Sequence, residues 1–152
     1  MELNPLTALS PIDGRYARQT DALRDIFSEC AFMNARVRVE VEWLISLSEA
    51  GFAELPHLSD HGKAFLRGLA DNFSLADCEA IKEIEKTTNH DVKAVEYWIK
   101  NQVAHDEELK SASEFVHFSC TSEDINNTSH AIMLKRGREA LADYLQQIHD
   151  TI

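Results

Sequence analysis

The sequence predicts an all-α fold on three observations. All three prolines, Pro5, Pro11 and Pro56, fall within the first 56 residues, and a long proline-free stretch follows. Beyond Leu58 the glycines are Gly62, Gly68 and Gly137, too sparse for the turn punctuation of strands. Apolar residues then recur at helical intervals, as in Val92, Val95, Ile99 and Val103.

The elements follow in order. Ser10-Pro11-Ile12-Asp13-Gly14-Arg15-Tyr16 reads as irregular chain ending in a turn, with a helix predicted over about 20–27. The next segment holds a conflict, because Arg36-Val37-Arg38-Val39-Glu40-Val41-Glu42-Trp43 alternates polar and apolar like a half-buried strand. Phe32, Val39, Trp43 and Leu47 nevertheless fall at helical spacing, and no turn residue bounds the alternation. With Ser28 as N-cap and Gly51 as stop, a helix over about 29–50 is expected. Helices are also expected over about 60–72 and 75–87, the latter opened by Ser74 with an acidic third residue, Asp77. Another begins near Asp91. Asp106-Glu107-Glu108 reads as a solvated loop, followed by a short helix over 113–118. The polar cluster Thr121-Ser122-Glu123-Asp124-Ile125-Asn126-Asn127 then opens a long helix. Its stripe of Leu134, Leu141, Leu145, Ile148 and Ile152 runs to the last residue without C-cap glycine, basic turn or proline. A truncated chain is therefore expected, with the partner helices supplied from elsewhere.

Composition narrows the function classes. At 152 residues and 44% hydrophobic content, the chain suffices for one domain with a real core. Fifteen basic against 26 acidic residues give a formal charge of -11, which speaks against nucleic acid and anionic membrane surfaces as partners. Met1-Glu2-Leu3-Asn4-Pro5 has no charged region leading into an apolar core, so no secretory signal is expected. No apolar run approaches the roughly 18 residues of a membrane span. Cys30, Cys78 and Cys120 are widely spaced and odd in number, which predicts buried thiols in a reducing cytoplasm. The sequons at Asn126 and Asn127 are then not expected to carry glycan.

Candidate chemistry concentrates in two polar breaks. His90 lies between Asn89 and Asp91 at a helix entry, where an imidazole suits a substrate carboxylate or proton transfer. Equally, Asn89 or Asp91 caps the helix and His90 is incidental; the residues alone leave both open. Thr121 to Asp124 reads first as an N-cap, and the free N–H groups there also favour a carboxylate or phosphate. Arg15 offers a planar cation for a bidentate anion contact, although a surface residue after a turn explains it as well. His57 and His61, four apart, have no third metal ligand in view, and a loop running into a helix cap accounts for them. Cys120 near His117 lacks an orienting group, so a buried thiol is the better reading than a nucleophile. No metal and no cofactor is expected.

Three blocks together resemble the adenylosuccinate lyases of the fumarase/aspartase superfamily, in their bacterial purine-biosynthetic form. They are Ser10 to Tyr16 (SPIDGRY), Thr87 to Tyr97 (TTNHDVKAVEY) and Ser113 to Asn127 (SEFVHFSCTSEDINN), and the similarity spans essentially the whole chain. The Gly-Arg-aromatic motif alone is weak; the second and third blocks point away from fumarases and argininosuccinate lyases. The resemblance implies a β-elimination releasing fumarate from adenylosuccinate, giving AMP, and from the succinyl-carboxamide ribonucleotide of purine synthesis. It implies Arg15 and Tyr16 at the nucleotide phosphate, and Asn89, His90 and Asp91 near the bond that breaks, with His90 assisting. Thr121 and Ser122 would hold a succinyl carboxylate. The family's acid histidine, in a Thr-His-Gly-Gln-like segment, and its serine-loop base have no counterpart in these 152 residues, so the chain alone is expected to be inactive. A cytoplasmic homotetramer with sites shared between subunits is implied. So is a division into an N-terminal helical domain, 1–111, and the start of a truncated central helical bundle, 112–152. Alternatives are another fumarate-releasing lyase of the superfamily, or a helical interaction module without catalysis.

Overall fold

The computed structural model describes residues 4–55 and 57–152, which form helices and turns with no strand among the described residues. Met1 to Leu3 and Pro56, which entered the reading above, lie outside them. The N-terminal segment folds back on itself: the Gly14 N–H donates to the Ser10 carbonyl at 3.0 Å and Thr20 Oγ1 to the Ile12 carbonyl at 3.1 Å. Gly14 is needed there, since a Cβ would stand 2.8 Å from the Pro5 carbonyl oxygen. The helix expected over 20–27 is split into a 3₁₀ turn, Asp21–Leu23, and the single-turn α1, Arg24–Phe27.

Ser28 Oγ accepts from the Ala31 N–H at 3.2 Å and starts α2, Glu29–Glu49, with Gly51 beyond its end at φ +82°. The conflict over 36–43 thus resolves to helix. Helices α3, Asp60–Asp71, α4, Leu75–Thr88, and α5, Asp91–Val103, follow close to expectation. The polar positions of the alternating stretch divide between two surroundings. Arg38 and Glu42 reach α3, pairing with Asp71 at 2.7 Å and with Arg67 at 2.7 and 2.9 Å. Arg36 and Glu40 are buried.

Two local expectations fail. The acidic run is no loop: Asp106 caps α6, Glu107–Ala112, by accepting from the Leu109 N–H at 2.9 Å. Glu108 in turn accepts from the N–H and hydroxyl of Ser59, the N-cap of α3, at 2.5 and 2.7 Å. These carboxylates find unpaired helix-start donors, which composition could not reveal. The short helix expected over 113–118 closes after one 3₁₀ turn, Ser113–Phe115, because Val116 turns extended.

Helix α2 is the axis of the core. Val37, Val41, Leu44 and Ile45 meet Leu66 of α3, Ile81 of α4, Val95 and Ile99 of α5 and Leu109 of α6, all nearly inaccessible to solvent. Helix α7, Ser122–Thr151, crosses α2 with Ile125, Ser129, Met133 and Gly137 buried. Gly137 lies against the Phe27 ring, where no Cβ has room. Past Gly137 the helix projects, leaving Leu141, Tyr144, Leu145 and Ile148 half or more exposed. No helix of the described residues is long and apolar enough to cross a membrane.

The cysteines correct the reading of isolated thiols. Cys30 of α2 and Cys78 of α4 form a disulfide across 48 residues of sequence, with Cα atoms 5.7 Å apart, while Cys120 is free. Closing a loop of that length restricts the unfolded chain and contributes about 4 kcal/mol on the chain-entropy model. Oxidised protein is therefore expected to melt well above the dithiothreitol-treated form, and equal melting temperatures would show the bridge to be thermodynamically idle.

Candidate active site

Asn89 ends α4 in the left-handed region, φ 51° and ψ 31°, with its N–H donating to the Glu85 carbonyl at 2.8 Å. Asparagine tolerates this conformation better than most residues, and it lets α5 start immediately afterwards. The cap of α5 is then neither Asn89 nor Asp91 but His90, whose Nδ1 accepts from the Lys93 N–H at 3.2 Å. An accepting Nδ1 leaves the proton of a neutral imidazole on Nε2. That Nε2 points across to α7, 3.5 Å from Ser122 Oγ. Thr88 Oγ1 steadies the turn, accepting from the His90 N–H at 3.3 Å and donating to the His90 carbonyl at 3.1 Å.

Asp91 is held from two sides. Partial burial works to raise its pKa, but the Val92 N–H and the Arg36 guanidinium outweigh it and keep the carboxyl below its usual range. So restrained, it is an acceptor and an anchor, not a proton-abstracting base. Arg36, 5% exposed on α2, reaches Asp91 Oδ2 with Nη2 at 2.6 Å and Asn126 Oδ1 with Nε at 2.9 Å. Its guanidinium lies 3.9 Å from the Phe32 ring centroid, and Phe32 stacks on His130 at 4.5 Å.

At the start of α7, Thr121 and Asp124 make a reciprocal capping box. Asp124 Oδ2 accepts from the Thr121 N–H at 2.7 Å and hydroxyl at 2.9 Å, and these contacts hold its pKa down. The Thr121 hydroxyl is thereby occupied, which leaves Ser122 as the hydroxyl facing His90. The preceding segment is strained, with His117 at φ 63° and Ser119 at φ 61°. It is tied to α2 at two points. Trp43 Nε1 donates to the Phe118 carbonyl at 2.8 Å, and His117 Nδ1 lies 2.6 Å from Glu40 Oε1. Burial pushes the Glu40 carboxyl up against the opposing pull of His117, and its Oε2 has no hydrogen-bond partner among the described residues. His117 thus serves Glu40 and not Cys120, whose thiol burial also pushes up, away from nucleophilic duty.

The structure brings together His90, Asp91 and Ser122 at two facing helix starts, with Asn89 and Thr121 beside them. It does not join Arg15 and Tyr16 to that group: no hydrogen bond or ion pair among the described residues links them. They line a separate cavity of about 380 Å³ with Pro5, Ala8, Ser10 and Pro11. A cleft of about 550 Å³ between α2 and α7, lined by Arg38, Trp43, Cys120, Asp124 and Ile132 among others, is also lined by none of His90, Asp91 or Ser122. His57 and His61 are exposed, and no group of three metal-competent side chains occurs among the described residues. Sequence reading missed Arg36, Glu40 and the bonding role of His117. For Arg36 a signal existed: it sits between Phe32 and Val39 on the apolar stripe of α2, a place where charge survives only when paired.

Chemically, the arrangement offers a donating Nε2–H, a hydroxyl and two helix starts to one anionic group. The chain matches the family model described as lyase over residues 14–152. It is similar to the adenylosuccinate lyase of Vibrio cholerae, 56% identical over 142 residues, which cover 93% of this chain and 31% of that protein. The adenylosuccinate lyases of Haemophilus influenzae and Escherichia coli are 53% and 51% identical across 100% of this chain, which covers 34% of each. The chain spans about a third of the length of these curated relatives.

Proposed function

Because the chain belongs to the lyase family matched from residue 14 to residue 152, we propose that the protein carrying it eliminates fumarate from succinyl-substituted purine nucleotides. The substrates on this reading are adenylosuccinate, yielding AMP, and the succinyl-carboxamide ribonucleotide of purine synthesis. The observation that carries it is the approach of His90 Nε2 to Ser122 Oγ, 3.5 Å apart across the starts of α5 and α7. In the elimination a base takes the proton from one succinyl carbon, the C–N bond at the next carbon breaks, and an acid protonates the departing nitrogen. Ser122, at the start of α7, holds a succinyl carboxylate, with Thr121 shaping that helix start through its capping box with Asp124, while His90 Nε2–H donates to the reacting group. Asn89 and Asp91 flank it, and Arg15 and Tyr16 receive the phosphate. The principal acid and base lie outside these 152 residues, so His90 is an assistant, and the isolated chain is inactive.

The exposed apolar side chains of α7 from Leu134 to Ile152 support assembly into a homotetramer through a shared helical bundle. On the same reading, residues 1–111 form the N-terminal helical domain and 112–152 begin the bundle domain, in an enzyme whose cytoplasmic placement rests on the resemblance, since the Cys30–Cys78 bridge removes the thiol argument for it. A panel of adenylosuccinate, the succinyl-carboxamide ribonucleotide and argininosuccinate, assayed for fumarate with the full-length protein, tests the proposal. Turnover of both purine substrates and not of argininosuccinate is expected; turnover of argininosuccinate alone would place the protein elsewhere in the superfamily.

A further inference from the structure

We propose that Arg36 is a positioning residue that sets the distance between the two halves of this site; the inference rests on the reading of His90 and Ser122 given above. The two helix starts come from distant parts of the chain. Apart from the 3.5 Å approach of His90 to Ser122, no hydrogen bond among the described residues runs between the His90–Val103 segment and α7. Arg36 supplies the missing connection. One edge of its guanidinium grips Asp91, directly after His90, and the Nε–H grips Asn126, four residues after Ser122. Asp91 is 55 residues from Arg36 in sequence and Asn126 is 90, so a single planar group ties together two helix starts that each pack on α2 but are not otherwise bonded to each other beyond the His90–Ser122 approach among the described residues.

The clamp is rigid for identifiable reasons. The Arg36 side chain is 6% exposed, so water competes weakly for its donors. Its plane is fixed against the Phe32 ring, itself backed by His130 of α7. A lysine carries no such fork: one ammonium on a flexible stem does not reproduce two directed bonds to different helices together with the stacking. Arg36 approaches neither His90 nor Ser122 within hydrogen-bonding distance among the described residues, so its influence is geometric. The effect of a misplaced site is large, about 10²-fold for an ångström.

The test uses the full-length protein and a purine succinyl substrate. Arg36→Lys and Arg36→Ala are each expected to lower kcat/KM by about 10²-fold. Asn126→Ala, which removes one arm, should fall between them and the unaltered protein. Guanidinium ion added at millimolar concentration should restore Arg36→Ala at least in part while leaving His90→Ala unaffected, a response that mere loss of stability does not give. Wild-type kcat/KM in Arg36→Lys, or a deficit in Arg36→Ala that guanidinium leaves unchanged, overturns the clamp. His90→Ala measured alongside separates the two levels: if it retains activity the site reading fails, whereas if it is inactive and Arg36→Lys is normal only the clamp fails.

Discussion

Replacing His90 by asparagine in the full-length protein is expected to lower turnover of a purine succinyl substrate by about 10²–10⁴-fold while leaving the fold at least as stable. The structure separates two duties of this side chain. Nδ1 caps α5 through the Lys93 N–H, and Nε2 faces Ser122. Asparagine is among the best N-caps, so it keeps the first duty and removes the second. His90→Ala removes both, adding a loss of about 1 kcal/mol in stability to the loss of activity. Near-normal turnover in the asparagine variant would reduce His90 to a cap.

The second large effect concerns stability. His117→Ala should destabilise the fold by about 3–5 kcal/mol near neutral pH, because it strips from a buried carboxylate its one hydrogen-bonding partner among the described residues. Glu40 is fully buried; Oε1 meets His117 at 2.6 Å and Oε2 meets nothing among the described residues. Burial raises its folded pKa above the ordinary 4.5, and the nearby Glu96 adds to the shift. The folded state therefore holds this proton more tightly than the unfolded chain. Its contribution is present below the ordinary carboxylate range and is lost as pH rises through the raised value. Urea midpoints should show the His117→Ala deficit shrinking in acid, where Glu40 is neutral. Glu40→Gln should flatten the fall in stability with rising pH, and a midpoint equally steep in that variant would rule Glu40 out as its source.

Much of the fold was legible because the relevant signals are local. Ser28 and Thr121 both cap helices as read, and the long helices end within a residue or two of expectation. What was illegible depended on partners far along the chain. Asp106 and Glu108 looked like solvated charge, yet one caps α6 and the other serves the start of α3 from 49 residues away. Nothing in the spacing of Cys30 and Cys78 announces their bridge between α2 and α4. In the candidate site, the two polar breaks were identifiable as helix starts, but only the family resemblance, and nothing in the residues themselves, put them at one substrate, since their meeting is enforced from α2. The strand-like alternation of Arg36 to Trp43 was the visible trace of that enforcement. It arises because polar anchors interrupt an apolar helix face.

Those anchors have a consequence for how this protein tolerates change. Arg36, Glu40 and Trp43 stand at i, i+4 and i+7 on α2, one side of a single helix. From there they hold Asp91 and Asn126, then His117, then the Phe118 carbonyl. Inserting or deleting one residue upstream within α2 would rotate this row by about 100° and release all of these ties together. The exposed connection around Phe52 to Glu54 carries no such row. Lineages of this protein should therefore vary in length at that connection and keep the residue count of α2 unchanged, even where its side chains differ.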